Sequence, residues 1–138
     1  MIDFSTSLGK RVAEQLKDEQ VIWLTTVGPD NTPQPRPVWF LWDGISLLVY
    51  SKPNAHKINH IMKNPKIALN FNSDFDGDEV SVMLGEARLD ASVPPAIEHE
   101  IYIEKYDTGI EELGATPQSF SDEYATQILI TPTKLRGF

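Results

Sequence analysis

At 138 residues, with 41% hydrophobic and 23% charged side chains, the chain has the length and balance of one folded domain with its own core. Its formal charge of −8, from 20 acids against 12 Lys and Arg, argues against binding nucleic acid, which needs phosphate-neutralising cations in quantity. There is no Cys, hence no disulfide or thiolate chemistry; no cationic apolar leader and no membrane-length apolar run are present, so a soluble cytoplasmic protein is expected.

Apolar positions at Phe4, Leu8, Val12, Ala13 and Leu16 have helical spacing and predict a helix over Phe4 to Asp18. Val21 to Val27 is rich in β-branched and aromatic residues and reads as a strand. Gly28 to Pro33 is a turn, and Gln34 to Trp42 is expected as a second strand. Pro35 and Pro37 confine that strand to an irregular or edge course. Asp43-Gly44 is a hairpin signal that returns the chain as a third strand, Ile45 to Ser51. A helix over Ala55 to Met62 follows, with Asn54 as the expected cap and Asn64-Pro65 as the stop. Lys66 to Asn72 is the fourth strand and Glu79 to Leu89 the fifth, around a loop at Ser73 to Asp78. Helices are expected at Pro94 to Tyr106 and Gln118 to Tyr124, then a closing strand at Ala125 to Thr131. Six short strands crossed by a few helices predict a mainly β fold, a small antiparallel barrel with peripheral helices.

The most informative stretch lies between the third and fourth strands. From Gly44 to Ser73 there is no Asp or Glu, although the chain as a whole is acidic. Lys57 sits in the first turn of the helix there, where free backbone N–H groups and the positive end of the helix dipole also point. Such a corner suits a phosphate; a solvated basic surface helix is the plain alternative. Other constellations carry less. His56 and His60 stand four apart, as a metal pair would, but no third ligand is spaced nearby and Lys57 repels a cation, so no metal site is expected. Asp74, Asp76 and Asp78 imitate a calcium loop, but Glu79 stands where that loop needs Gly, and Gly85 where it needs Glu. A hairpin tip is the better reading. No nucleophile elbow, P-loop or dinucleotide fingerprint is present. Trp23 and Trp42 read as core or interface aromatics, with Trp39 the one candidate ring contact.

Three segments carry a family resemblance: Thr26-Val-Gly-Pro-Asp-Asn-Thr-Pro-Gln-Pro35 leading into Pro37-Val-Trp-Phe-Leu-Trp-Asp-Gly44, Tyr50-Ser51-Lys52 leading into His56-Lys57, and Asn64-Pro-Lys-Ile-Ala-Leu69. With the closing Thr131-Pro-Thr-Lys-Leu-Arg-Gly-Phe138, their order resembles the split-barrel flavin-binding proteins related to pyridoxamine 5′-phosphate oxidase. It is similar to a subgroup of FMN- or deazaflavin-dependent oxidoreductases. The resemblance implies a six-stranded split barrel and a homodimer with FMN or the deazaflavin coenzyme between the protomers. It places the phosphate on Lys57, with Ser51, Lys52 and the preceding Tyr50 contributing from the strand end. His56 stands where many relatives carry Arg, a departure that removes a bidentate phosphate contact. The backbone of Pro37, Val38 and Trp39 is implied along the flavin ring, and Arg136 near an anionic part of cofactor or substrate. The implied chemistry is hydride transfer to or from a small molecule; a non-catalytic flavin- or haem-binding barrel is the alternative.

Overall fold

Thr6 starts the first helix: its side chain accepts a hydrogen bond from the Gly9 N–H, and α1 (Ser7–Asp18) buries Val12 and Leu16. The computed structural model describes all of residues 1–138. After α1 come β1 (Val21–Val27), β2 (Pro33–Trp39), β3 (Leu41–Trp42), β4 (Leu47–Ser51), α2 (His56–Lys63), β5 (Lys66–Asn70) and β6 (Ser81–Leu89). A 3₁₀ turn (Ala96–Glu98), α3 (Glu100–Glu112), α4 (Pro117–Glu123) and β7 (Thr126–Gly137) complete the chain. All pairings are antiparallel, in one seven-stranded sheet of order β2-β1-β5-β6-β7-β4-β3.

The order contains a geometric demand. β2 and β3 stand at opposite ends of the sheet, yet only Phe40 separates them in sequence. The sheet must therefore curl until its two edges meet at Phe40. This corrects the expectation of a single strand over Gln34 to Trp42 and raises the strand count from six to seven. At the break, the backbone of Phe40 has no strand partner and is satisfied from α3. The Tyr106 hydroxyl accepts from the Phe40 N–H at 2.7 Å, and Lys105 Nζ donates to the Phe40 carbonyl at 2.8 Å. The hydroxyl also lies 2.7 Å from both the Gln20 and the Phe40 carbonyl, and its single proton, given to one of the two, completes the bracket. Lys105 stands 3.9 Å over the Phe40 ring, and burial brings its pKa down to about 8.

Three further expectations change. The N-cap of α2 is Ala55, with no side-chain cap, so Asn54 does not play the part its sequence position suggests. The helix read over Pro94 to Tyr106 begins later and runs further, because Pro94 and Pro95 hold the approach extended and His99 Nδ1 caps α3 at the Tyr102 N–H. The closing strand passes Thr131 and reaches Gly137. A register shift between Leu84 and Gly85, where Gly85 faces Pro132, accommodates the proline just past the expected end. The Asp43-Gly44 turn forms as expected, with Asp43 Oδ1 accepting from the N–H groups of Ile45 and Ser46.

β4 is buried along its whole length. One face looks into the main core, with Leu47 and Val49 among Leu16, Ile22, Leu69, Met83 and Ile128. The other carries Leu48 and Tyr50 into a second cluster with Tyr102, Tyr106, Ile110 and Phe120 from α3 and α4. A strand covered on both faces reads as an unbroken apolar run, as Leu47 to Tyr50 does.

Replacing Tyr106 with Phe leaves the buried Phe40 N–H without its partner. Urea unfolding of Tyr106→Phe is expected to show a loss of about 1–3 kcal/mol. A stability equal to wild type would mean that the bracket at Phe40 is not needed.

Candidate functional site

The closed edge creates a cleft. The end of β2, the end of β4 and the start of α2 converge on one side, and α3 and α4 stand opposite. The cleft has a volume of about 390 Å³. Pro37, Val38 and Trp39 line it from β2, Tyr50 and Ser51 from β4 with Lys52 just beyond, and Ala55 and Lys57 from the start of α2. Tyr102, Leu113, Phe120 and Tyr124 form the facing wall.

Lys57 is half-buried, and its pKa is lowered first by burial and then by the guanidinium of Arg36. Neither cation has a carboxylate partner, since the ion pairs of the fold are Lys52–Glu123 and Arg88–Asp90. Two unpaired cations that repel one another at a helix N-terminus are a site an anion relieves. Lys52 differs. It is exposed and bonds Glu123 at 3.0 Å, so α4 brings an acid to a passage that is acid-free along the chain. Its pKa is raised by that bond, and its charge is already partly answered at the cleft mouth.

The aromatic wall is a continuous stack. Trp39 stacks on Tyr106 with ring centroids 4.6 Å apart and lies 5.5 Å from the Phe120 ring. Gly109 makes room for it, because a Cβ there would sit 3.0 Å from the indole. Phe120 in turn stacks on Tyr124 at 4.5 Å. Tyr50 donates to the Pro94 carbonyl at 2.6 Å, and burial pushes its pKa up to about 12. Tyr102 is fully buried at the cleft wall, and its hydroxyl has no hydrogen-bond partner. Burial raises the Tyr102 pKa strongly, so the phenol stays protonated as a donor aimed at no protein acceptor.

Three residues of the cleft, Pro37, Ala55 and Lys57, also line a smaller cavity of about 270 Å³. Thr26, Gln34, Arg36, His56 and His60 complete it. The His56 and His60 rings stand 6.4 Å apart between centroids, and no group of three or more His, Cys, Asp or Glu gathers to hold a metal ion.

The structure thus brings together Pro37, Val38, Trp39, Tyr50, Ser51, Lys52 and Lys57 in the cleft and places His56 in the adjoining cavity. Arg136 stands apart, exposed near the end of β7 opposite Val82, with its guanidinium on the Leu135 carbonyl. Arg36 and the wall residues Tyr102, Phe120 and Tyr124 were not foreseen. Arg36 was legible in principle: prolines at 33, 35 and 37 put Gln34 and Arg36 together on the opposite face of a period-two strand. The wall carried no local signal.

A strongly curled antiparallel sheet, capped by helices and with a cleft beside the junction of its edges, defines a split barrel. The chain belongs to the pyridoxamine 5′-phosphate oxidase family, whose sequence profile matches residues 8–137. Among solved structures it is similar to a Listeria innocua protein provisionally described as a pyridoxamine 5′-phosphate oxidase. That match has 24% identity and a TM-score of 0.69, covering 94% of this chain and 96% of that one. An F420 reductase matches at 23% identity and TM-score 0.66, over 89% and 94% of the two chains. The heme storage protein HutZ of Vibrio cholerae matches at 14% and 0.64, over 96% and 95%. No curated protein matches the sequence.

Because the Tyr102 hydroxyl is buried without a partner, ligand-free Tyr102→Phe is expected to be more stable than wild type by about 1 kcal/mol or more in urea unfolding. A clear loss of stability would show that the hydroxyl is held within the protein.

Proposed function

We propose that the cleft binds FMN or the deazaflavin coenzyme and that the protein is an oxidoreductase acting on a small molecule. One observation carries this reading: an unpaired Lys57–Arg36 cation pair at the start of α2 opens directly into a cleft walled by aromatic rings. A phosphate joined to a planar ring needs those two environments side by side. In this reading Lys57, Arg36 and the free N–H groups of α2 hold the phosphate. Ser51 lies at the same end of the cleft and Lys52 screens its mouth. The backbone of Pro37, Val38 and Trp39 borders the ring, and Phe120 and Tyr124 close the far side. A bound ring of this kind supplies hydride transfer, while the protein supplies orientation and exclusion of water. No side chain is assigned as general acid or base. Family membership and the shared fold of the F420 reductase support the reading.

The proposal includes a homodimer with the cofactor between protomers, as the resemblance implies, and in that assembly Arg136 is available to an anionic group. A second reading is a non-catalytic haem or flavin barrel. It draws on the exposed His56 beside the cleft and on the shared fold of the heme storage protein. Haem addition separates the two, since a Soret band that His56→Ala abolishes belongs to that second reading.

Lys57→Ala is expected to weaken binding of FMN or the deazaflavin coenzyme by about 1.5–3 kcal/mol, the scale of a hydrogen bond to a charged group. Calorimetric titration of both ligands checks this, and unchanged affinity for each would sink the phosphate assignment. Light scattering is expected to show a dimer whose monomeric variants lose cofactor affinity.

A further inference from the structure

The cleft does not end at Lys57. The same side chain, with Pro37 and Ala55, also borders the second cavity of about 270 Å³, so a molecule held at Lys57 has two rooms open to it. The two rooms differ in chemistry. The cleft is walled largely by aromatic and apolar side chains, whereas the second cavity is lined by Thr26, Gln34, Arg36, His56, Lys57 and His60, whose cationic and imidazole groups outnumber the one exposed acid nearby, Asp30. His60 is only 8% exposed, and its Nδ1 is held by Thr26 Oγ1 at 2.9 Å. That bond orients the ring and leaves Nε2 on the cavity side without a protein partner. Gly28 keeps the room open: a Cβ there would lie 2.9 Å from the Gln34 amide nitrogen and 3.5 Å from both His60 Nε2 and the Asp30 carboxylate.

A phosphate monoester at Lys57 completes the ring-bearing ligand and has nothing to extend further. The second cavity is several times the space of a water, about 30 Å³, and far more than phosphate oxygens need. Its lining offers a buried imidazole, an amide, a guanidinium and a hydroxyl, the donors that polar and anionic groups require. Resting on the flavin-type reading of the cleft, we infer that the second cavity is a subsite for a polar group esterified to the cofactor phosphate. The preferred ligand is then a phosphodiester, not a monoester. Two sources share that chemistry, a dinucleotide flavin and the deazaflavin coenzyme with its anionic tail.

The test compares dissociation constants of FMN, FAD and the deazaflavin coenzyme for the full chain. Wild type is compared with Gln34→Ala and Gly28→Ala, and thermal melts confirm folding. Gln34→Ala removes a donor of the second cavity. Gly28→Ala crowds that cavity, and the flexible end of Gln34 gives way to the added methyl. Wild type is expected to bind at least one of the two diesters about tenfold more tightly than FMN. Each variant is expected to erase most of that preference while leaving FMN affinity within about twofold. Which diester is preferred tells the two sources apart. FMN binding as tightly as both diesters, or variants that weaken FMN and diester equally, would overturn the subsite while leaving the flavin reading intact. Failure of all three ligands to bind wild type would instead overturn that reading, and the subsite with it.

Discussion

The whole architecture turns on how the backbone of one residue is satisfied. Phe40 joins two strands that stand at opposite edges of the sheet, so neither of its peptide groups can enter the ladder of either strand in the ordinary way. A buried N–H or carbonyl without a partner costs on the order of 1–3 kcal/mol, enough to matter in a protein of ordinary marginal stability. The hydroxyl of Tyr106 and the ammonium of Lys105 supply the missing partners from one turn of α3. Lys105 yields part of its charge preference to do so, since burial lowers its pKa, while the Phe40 ring beneath it offers a cation–π contact. Closure of the sheet and docking of α3 are therefore one event.

That event also builds the cleft. Docked over Phe40, α3 places Tyr106 flat against Trp39 and sets Tyr102 beside Tyr50, with ring centroids 4.7 Å apart at a steep angle. α4 adds Phe120 and Tyr124 to the same stack and sends Glu123 to Lys52. The aromatic wall, the strand β4 buried on both faces and the neutralised lysine at the mouth all follow from where the two helices sit. The polar end of the cleft has a separate origin, the meeting of β2 with the start of α2.

Electrostatics divides the site in the same way. Lys52 is exposed and already paired, and exposed pairs contribute little to affinity or stability. Lys57 is half-buried, faces Arg36 and has no acid, so an anion there is worth more than at the mouth. Prolines at alternate positions of β2 cannot donate to β1, so the ladder falls to Gln34, Arg36 and Val38, and the strand remains an edge. Edge protection and exposure of backbone to the cleft are two results of one pattern.

The strands, the Asp43-Gly44 hairpin, the short helix after Ser51 and the lysine in its first turn were legible from residue order, as was the acid-free passage from Gly44 to Ser73. Each rests on contacts within a few residues, where period, turn chemistry and caps act. Even at that range the cap of α2 fell to Ala55 in place of Asn54, and the last strand crossed Pro132 because β6 offered a register shift there. Tertiary structure alone decided the break at Phe40, whose partner Tyr106 lies 66 residues away. It decided equally the orphaned hydroxyl of Tyr102, the acid beside Lys52 and the separation of Arg136 from the cleft. Local patterns select elements, but which elements face each other depends on burying both faces of β4 and satisfying the backbone of Phe40 together. No window of sequence contains that condition.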